Sequence, residues 1–485
     1  MDMLQNAIIL TTGFLLSQIL IASNTHYRLI AYLLRHTGSG VRALLTAVLL
    51  ISYALTVFMS NTVVVLALIP VIRRLMVFLS DSSSKKEIAT LFYLALTFGT
   101  TTGGLASLSG HPLNALALGI AELYKLEGRS GVNFFSWLMT GLPASLVLLA
   151  GARGVLLLAA RKCSDTELVY PGKGDSAVFP HRPLLFFALN MLFITTMTGI
   201  QFFLKPEPVG YGLSAVDIVF LLYGLAFIFF TFLYPRKNGV DGIMGKNALF
   251  LLFFLAAFPL LSVCRISREI ETHLRVPLKS FYAFLENRLQ KGFNIVWNRF
   301  FRESPGNLDT PNFNTMLSIN RIILEIPYFG LLLIMIFGTI LYAAMQAGDN
   351  PSIPGNDGYL ITALTSLVLE FIQPLSNPLL LLPSLNITAA FSSELLSNTA
   401  IVVILAPLMI TMAQHTGLSA LLLLLSLTVS ASAAYMTPLA SPANTLAFGG
   451  LDHVSLKTVM KAGLIMNIIS AMLISALFIG ISFFL

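Results

Sequence analysis

Apolar runs of about 17 to 25 residues follow one another along this chain, each long enough to cross a bilayer as a helix. Hydrocarbon offers no water to a free backbone amide, so such runs have to fold as helices. Composition agrees: of 485 residues, 56% are hydrophobic and 11% charged, with a mean hydropathy of +0.83. An ordinary soluble domain is about a quarter charged. The sequence therefore predicts an all-α polytopic membrane protein. The net charge of +7 then matters through the placement of Lys and Arg, and not as a nucleic-acid signal. Cys163 and Cys264 have no metal-ligand spacing, and two cysteines make no disulfide framework. The first 22 residues carry Asp2 and no Lys or Arg, so they read as a retained first helix and not a signal peptide.

Within these runs one polar triplet occurs twice, as Ser60-Asn61-Thr62 and Ser397-Asn398-Thr399. In both, a proline follows the threonine by eight residues, at Pro70 and Pro407. Unpaired polar groups in hydrocarbon cost several kcal/mol each, so the triplets need partners or a polar cavity. After each triplet comes an apolar span interrupted by Gly or Pro. The first break runs through Thr100-Thr101-Thr102-Gly103-Gly104 to Ser109-Gly110-His111-Pro112-Leu113-Asn114, and the second through Thr437-Pro438 to Ser441-Pro442-Ala443-Asn444. Such positions mark broken helices with free backbone groups.

Charge placement gives the topology. Arg42 precedes the first triplet pair, Val41–Met59 and Val63–Leu79, and Arg73, Arg74, Lys85 and Lys86 follow its apolar part, so both its ends face the cytoplasm. No Lys or Arg occurs between Arg321 and Lys457, which sets the second pair, Leu379–Leu396 and Ala400–Met412, the other way up. Two units of opposite orientation form an inverted repeat. The expected organisation is a first span and interfacial arm over 1–40, a first hairpin, broken helix and following span over 41–160, and a linker with scaffold spans over 161–237. A basic amphipathic insertion follows over 238–320, then a scaffold span and arm over 321–375, and the second hairpin, broken helix and last span over 376–485. Whether Ala248–Val263 crosses stays open, with an interfacial insertion the simpler reading.

Each triplet supplies an amide, two hydroxyls and the backbone groups freed by a turn. Helix N–H ends suit an anion and carbonyl ends a small cation, and Asn serves either. No Asp, Glu, Lys or Arg lies within the triplets or the breaks. Oxygen ligands without a carboxylate suit a weakly held monovalent cation such as Na⁺ better than Ca²⁺ or Zn²⁺. His111 is either a hydrogen-bonded buried histidine or an anion contact, and Glu394 either a neighbour of a cation site or a scaffold carboxylate. No phosphate loop, zinc spacing or acid–base pair argues for an enzyme.

These motifs resemble the divalent anion:sodium symporters, the sodium-coupled dicarboxylate, citrate and sulfate transporters. The resemblance rests on Phe58-Met59-Ser60-Asn61-Thr62 and Ser393-Glu394-Leu395-Leu396-Ser397-Asn398-Thr399 as hairpin tips, and on Gly104–Asn114 and Met436–Asn444 as breaks. Lys461-Ala462-Gly463-Leu464 with Asn467 matches the start of the last helix. His111 and Leu113 stand where the family usually has Thr and Pro. The resemblance implies an elevator-type transporter with Na⁺ as coupling ion and, in the family, a homodimer. It implies one Na⁺ site near Thr56, Ser60, Asn61 and Gly110, and a second near Ser393, Leu396, Asn398 and Ala440. The anion would contact Asn61, Thr62, His111, Pro112, Asn398, Thr399, Ser441 and Pro442.

The expected function is Na⁺-coupled symport of a small divalent anion across a prokaryotic plasma membrane, with a C4-dicarboxylate first and citrate or sulfate next. A Na⁺-independent exchanger of the same fold stays open, as does a non-transporting scaffold or receptor. The topology makes a direct prediction: a cysteine at Asp349 is labelled by an impermeant reagent from outside, and one at Lys457 only after permeabilisation. The reverse pattern would overturn the charge-based orientation.

Overall fold

The computed structural model describes residues 40–77, 85–163, 181–204, 208–210, 213–228 and 377–483, with scattered positions between 5 and 25 and at 244 and 251. The expected spans Ala248–Val263 (Leu251 apart) and Ile326–Met345, the arms His26–His36 and Tyr359–Ile372 and the basic stretch 265–302 lie outside these residues, as does part of the first span. The described residues fall into two compact units.

The smaller unit contains α6 (His181–Leu204) and α7 (Ala215–Ile228). A short antiparallel ribbon, β1 (Pro208–Gly210) with β2 (Leu213–Ser214), joins them and is a small departure from an all-α chain. Asp217 fastens the start of α7 by accepting from the Ser214 backbone N–H and hydroxyl at 2.8 and 2.7 Å. Asn190 on α6 accepts from the Tyr223 hydroxyl of α7 at 2.8 Å, a buried polar tie between apolar helices.

The larger unit is built twice from the same parts. Its first half is α1 (Val41–Thr56), α2 (Asn61–Val77), α3 (Lys85–Gly104), α4 (Pro112–Leu123) and α5 (Phe134–Ala159). Its second half is α8 (Pro378–Ser392), α9 (Asn398–Thr416), α10 (Ala420–Ser432), α11 (Pro442–Gly450) and α12 (Leu456–Ser482). The packing partners correspond as well: α1 and α2 lie on α3 as α8 and α9 lie on α10, and α5 covers α1 and α3 as α12 covers α8 and α10.

Helix lengths follow from the interruptions. The α1 and α8 arms have 16 and 15 residues, about 24 and 22 Å at 1.5 Å per residue, short of an apolar layer of about 30 Å. Among the described helices, Phe134–Ala159, Pro183–Leu204, Asn398–Thr416 and Leu456–Ser482 are long and apolar enough to cross. The chain is thus a multi-pass membrane protein. Several helices stop earlier than apolar sequence alone indicates. The span expected over Ile88–Leu108 ends at Gly104, the one over Leu421–Tyr435 at Ser432, and the one over Leu379–Leu396 at Ser392. In each case the following residues are taken by side-chain-fastened turns, described below.

Polar ties hold each half together. Asn386 of α8 donates to Ser475 of α12 at 3.0 Å and accepts from Ser426 of α10 at 2.8 Å, all three buried. Tyr53 of α1 meets Ser145 of α5 at 2.8 Å. Several glycines admit backbone where a side chain would not fit, Gly141 and Gly463 among them. A Cβ on Gly141 of α5 would lie 2.7 and 2.8 Å from the carbonyl oxygens of Leu105 and Ala106 in the first break. One on Gly463 of α12 would lie 2.4 Å from the Tyr435 carbonyl oxygen and 2.4 Å from Met436 Cα in the second. Gly141→Val and Gly463→Val should each cost about 1–3 kcal/mol through overpacking against backbone and lower the thermal midpoint in detergent. Gly480→Ala, which meets open space, should not. Equal midpoints for all three would contradict this packing.

Candidate functional site

Both triplets sit at a tip between two helices, and both tips are bonded to the break that follows them. At the first tip the Asn61 backbone N–H donates to the Gly110 carbonyl at 3.2 Å. The Ser107 hydroxyl donates to the Val57 carbonyl, and Ser109 to the Phe58 carbonyl at 3.2 Å. Gly110 is pressed against the end of α1: a Cβ there would lie 2.6 Å from the Thr56 carbonyl oxygen and 2.9 Å from that of Gly104. Thr56, Asn61 and Gly110 are therefore brought together, with Ser60 half-buried beside them.

The second tip is fastened by Glu394. Its carboxylate accepts from the Met436 and Thr437 backbone N–H groups at 2.7 and 2.6 Å and from Asn467 Nδ2 of α12 at 2.7 Å. Its carbonyl accepts from the Thr437 hydroxyl at 2.9 Å, the counterpart of the Ser107–Val57 bond. Glu394 is 2% exposed. Of the two roles open on the sequence, these contacts give it the scaffold one, as a carboxylate solvated by N–H donors. Val57 holds the matching place at the first tip and can make no such bond.

The breaks are closed by asparagines that the sequence marked only as end points. Asn114 Nδ2 donates to the carbonyls of Gly104 and Ser107 at 3.0 and 2.8 Å. Asn444 Nδ2 donates to those of Ala434 and Thr437 at 3.2 and 3.4 Å. The separations are ten and seven residues in both halves, a spacing that could have been read from sequence. The new helix is capped in each case: His111 Nδ1 accepts from the Leu113 N–H at 3.1 Å, and Ser441 Oγ from the Asn444 N–H at 3.1 Å. His111 is thus a buried, hydrogen-bonded cap. Pro112 and Pro442 follow as exposed first helical residues.

The helix directions decide what this arrangement can bind. Along α3, Thr102 and Phe98 meet Tyr435, Tyr93 meets Phe448, and the Thr90 hydroxyl accepts from the Ser455 N–H. So α11 runs antiparallel to α3 and begins where α3 ends. α2 also begins there, at the Asn61–Gly110 bond, and it packs on α11. On the other side α9 begins at the end of α10, where Glu394 holds Met436, and α4 packs on both α9 and α10. The loop after α4 meets the start of α10 through Gly128 and Leu421, so α4 too begins where α10 ends. The Thr102–Tyr435 bond, 3.0 Å, joins the two ends. Four helix N-termini, led by Asn61, Pro112, Asn398 and Pro442, open at one level. Four C-terminal ends, those of α1, α3, α8 and α10, close there.

The other expected site residues stand as follows. Both amide atoms of Asn398 are buried without a partner among the described residues. Thr62 and Thr399 are half-buried at the N-termini of α2 and α9, and Ser397 caps α9 through the Ala400 N–H at 3.2 Å. Ser393 is buried and donates to the Ala390 carbonyl at 2.8 Å, and Ala440 is buried in the second break. The Leu396 side chain is 53% exposed, so only its backbone carbonyl is a candidate ligand. Among the described residues no group of three or more His, Cys, Asp or Glu is arranged for a metal.

Removing the Glu394 clamp should loosen the second tip. Glu394→Ala leaves two break N–H groups and Asn467 without their acceptor, and should cost about 1–3 kcal/mol for each buried donor left unsatisfied. Glu394→Gln keeps one acceptor oxygen and should cost clearly less, as read by thermal unfolding. An Ala variant as stable as the wild type would remove Glu394 from the fold's supports.

Comparison with known proteins points to one family of membrane transporters. A family model described as citrate transporter matches residues 3–374. One described as the sodium:sulfate symporter transmembrane region matches residues 359–484. Among curated proteins, the sodium-dependent dicarboxylate transporters SdcS of Staphylococcus aureus strains MSSA476 and N315 are each 22% identical over 476 residues, covering 95% of this chain and 73% of theirs. The chain belongs to the citrate transporter family, among the divalent anion:sodium symporters.

Proposed function

We propose that this protein is a secondary active transporter that couples Na⁺ to the movement of a small divalent anion, with a C4-dicarboxylate as first candidate. The observation that carries the reading is that four helix N-termini begin at one level among the polar tip and break residues. Each end carries roughly half an elementary positive charge, so together they supply roughly two, the match for a dianion. Lys and Arg are absent from the triplets and breaks, so the anion would be held by dipoles and by Asn61, Thr62, Asn398 and Thr399, with the capped starts at His111-Pro112 and Ser441-Pro442. Such a site releases its ligand more readily than a salt bridge does.

Na⁺ fits the remaining groups. The C-terminal end of α1 presents the Thr56 carbonyl beside Gly110, with Ser60 as a further ligand, and the resemblance gives Ser393, Leu396 and Ala440 the same part in the other half. The Asn398 amide oxygen has no hydrogen-bond partner among the described residues. Neutral hard oxygens select a weakly held monovalent cation, and Na⁺ bound there would offset the charge brought by the anion. The similar dicarboxylate transporters are sodium-dependent, which points the same way. In this reading α1–α2 and α8–α9 are re-entrant hairpins of an inverted repeat. Segments 41–160 and 376–485 form a transport domain that moves as an elevator against scaffold segments 161–237 and 321–375. The chain works as a homodimer in a prokaryotic plasma membrane.

Uptake of labelled succinate into proteoliposomes tests the function, with inward Na⁺ and inward K⁺ gradients side by side. Uptake only with Na⁺ is expected, and equal rates in both would contradict coupling. Asn61→Ala and Asn398→Ala should each lower uptake by more than about tenfold, the equivalent of about 1.4 kcal/mol. Full uptake in both, with folded protein, would remove the tips from the site.

A further inference from the structure

Asn114 and Asn444 do more than close the breaks. Each is the third residue of its helix, and they are 0% and 1% exposed. In each, Nδ2 is committed to two carbonyls of the preceding break. Those bonds fix which way the amide faces, because a flip would set Oδ1 against two carbonyl oxygens. Both Oδ1 atoms are buried and have no hydrogen-bond partner among the described residues. A buried acceptor left alone bears the full desolvation cost of its group. Meeting that cost twice, in matching places, points to a ligand that repays it.

The chemistry of the two atoms names the ligand. An amide whose N–H groups donate to two carbonyls is polarised toward its oxygen. The result is a neutral, hard, electron-rich donor, suited to a monovalent cation and unsuited to an anion. Their surroundings agree. The Gly104 carbonyl that receives Asn114 lies 2.9 Å from the point where a Gly110 Cβ would sit, and the Thr56 carbonyl oxygen lies 2.6 Å from the same point. In the second half, Thr437 gives its carbonyl to Asn444 and its hydroxyl to the carbonyl of Glu394, which follows Ser393 in the chain.

We infer that Asn114 Oδ1 and Asn444 Oδ1 are cation ligands, Asn114 joining the first tip's carbonyls and Asn444 the second's. The inference rests on the Na⁺ reading proposed above. It adds one side-chain oxygen to each site and makes the same residue a tie for the broken helix and a sensor of the ion.

Thermal unfolding of purified protein in NaCl and in KCl of equal ionic strength separates these roles without any transport. A ligand that binds only the folded state raises the midpoint, so wild type should melt several degrees higher in Na⁺. Asn114→Ala and Asn444→Ala should each melt lower in K⁺, because two carbonyls lose their donor. Each should also lose at least half of the Na⁺ increment, and the Na⁺ concentration giving half of it should rise about tenfold or more. If the Ala variants do not purify as monodisperse protein, Asn114→Ser and Asn444→Ser keep a donor with shorter reach and should show the same loss. A full Na⁺ increment in the variants would reduce both asparagines to structural ties and overturn the inference. A wild type that melts equally in both salts would overturn the Na⁺ reading and this assignment with it.

Discussion

A helix that stops inside an apolar layer leaves carbonyls and N–H groups that water cannot reach, and the rest of this structure follows from how they are partnered. Asn114 and Asn444 take the carbonyls at the end of α3 and α10. His111 and Ser441 take the N–H groups at the start of α4 and α11. Glu394 does the same for the N–H groups of Met436 and Thr437. With those groups satisfied, the breaks hold a fixed shape, and the tips can be bonded to them. Gly141 and Gly463 let α5 and α12 lie directly on the broken backbone.

Once the breaks are fixed, electrostatics is set by chain direction and needs few charged side chains. Four N-termini and four C-terminal ends meet at one level, so partial charges of both signs lie side by side there. Among the tip and break residues Glu394 is the one acid, and its charge is spent on N–H donors. A site of this kind can hold an anion and a cation together while remaining neutral itself. The two halves are not identical: the first tip is tied by a backbone bond from Asn61 and the second by the Glu394 side chain. The second tip is therefore the more charged and, through Asn467, the one linked to α12.

Much of this was legible in the sequence, for physical reasons. The triplets stand out because polar residues are rare in apolar runs, and the breaks because Pro and Gly cannot continue a helix unaided. Both landed at tips and breaks. Helix ends were less legible: α3 stops at Gly104 and α10 at Ser432, short of where apolarity ends, because the turns that follow are held by partners distant in sequence. Glu394 was visible as an acid beside a triplet, but its role depended on Asn467 and the break amides, 73 and about 42 residues away. Gly141 gave no sequence signal and Gly463 entered only through the resemblance of Lys461–Leu464, since a glycine that admits a neighbouring backbone looks like any other. The matched ten- and seven-residue spacing of Asn114 and Asn444 to their acceptor carbonyls was there to be read, but its meaning needed the hydrogen bonds.

The central claim is that two half-sites make one anion site. Equilibrium binding of labelled succinate to purified protein in NaCl tests it most directly. The account predicts one succinate per chain, lost when either Asn61 or Asn398 is replaced by alanine. Two succinates per chain, or one retained in each single variant, would show that the halves bind independently and would contradict it.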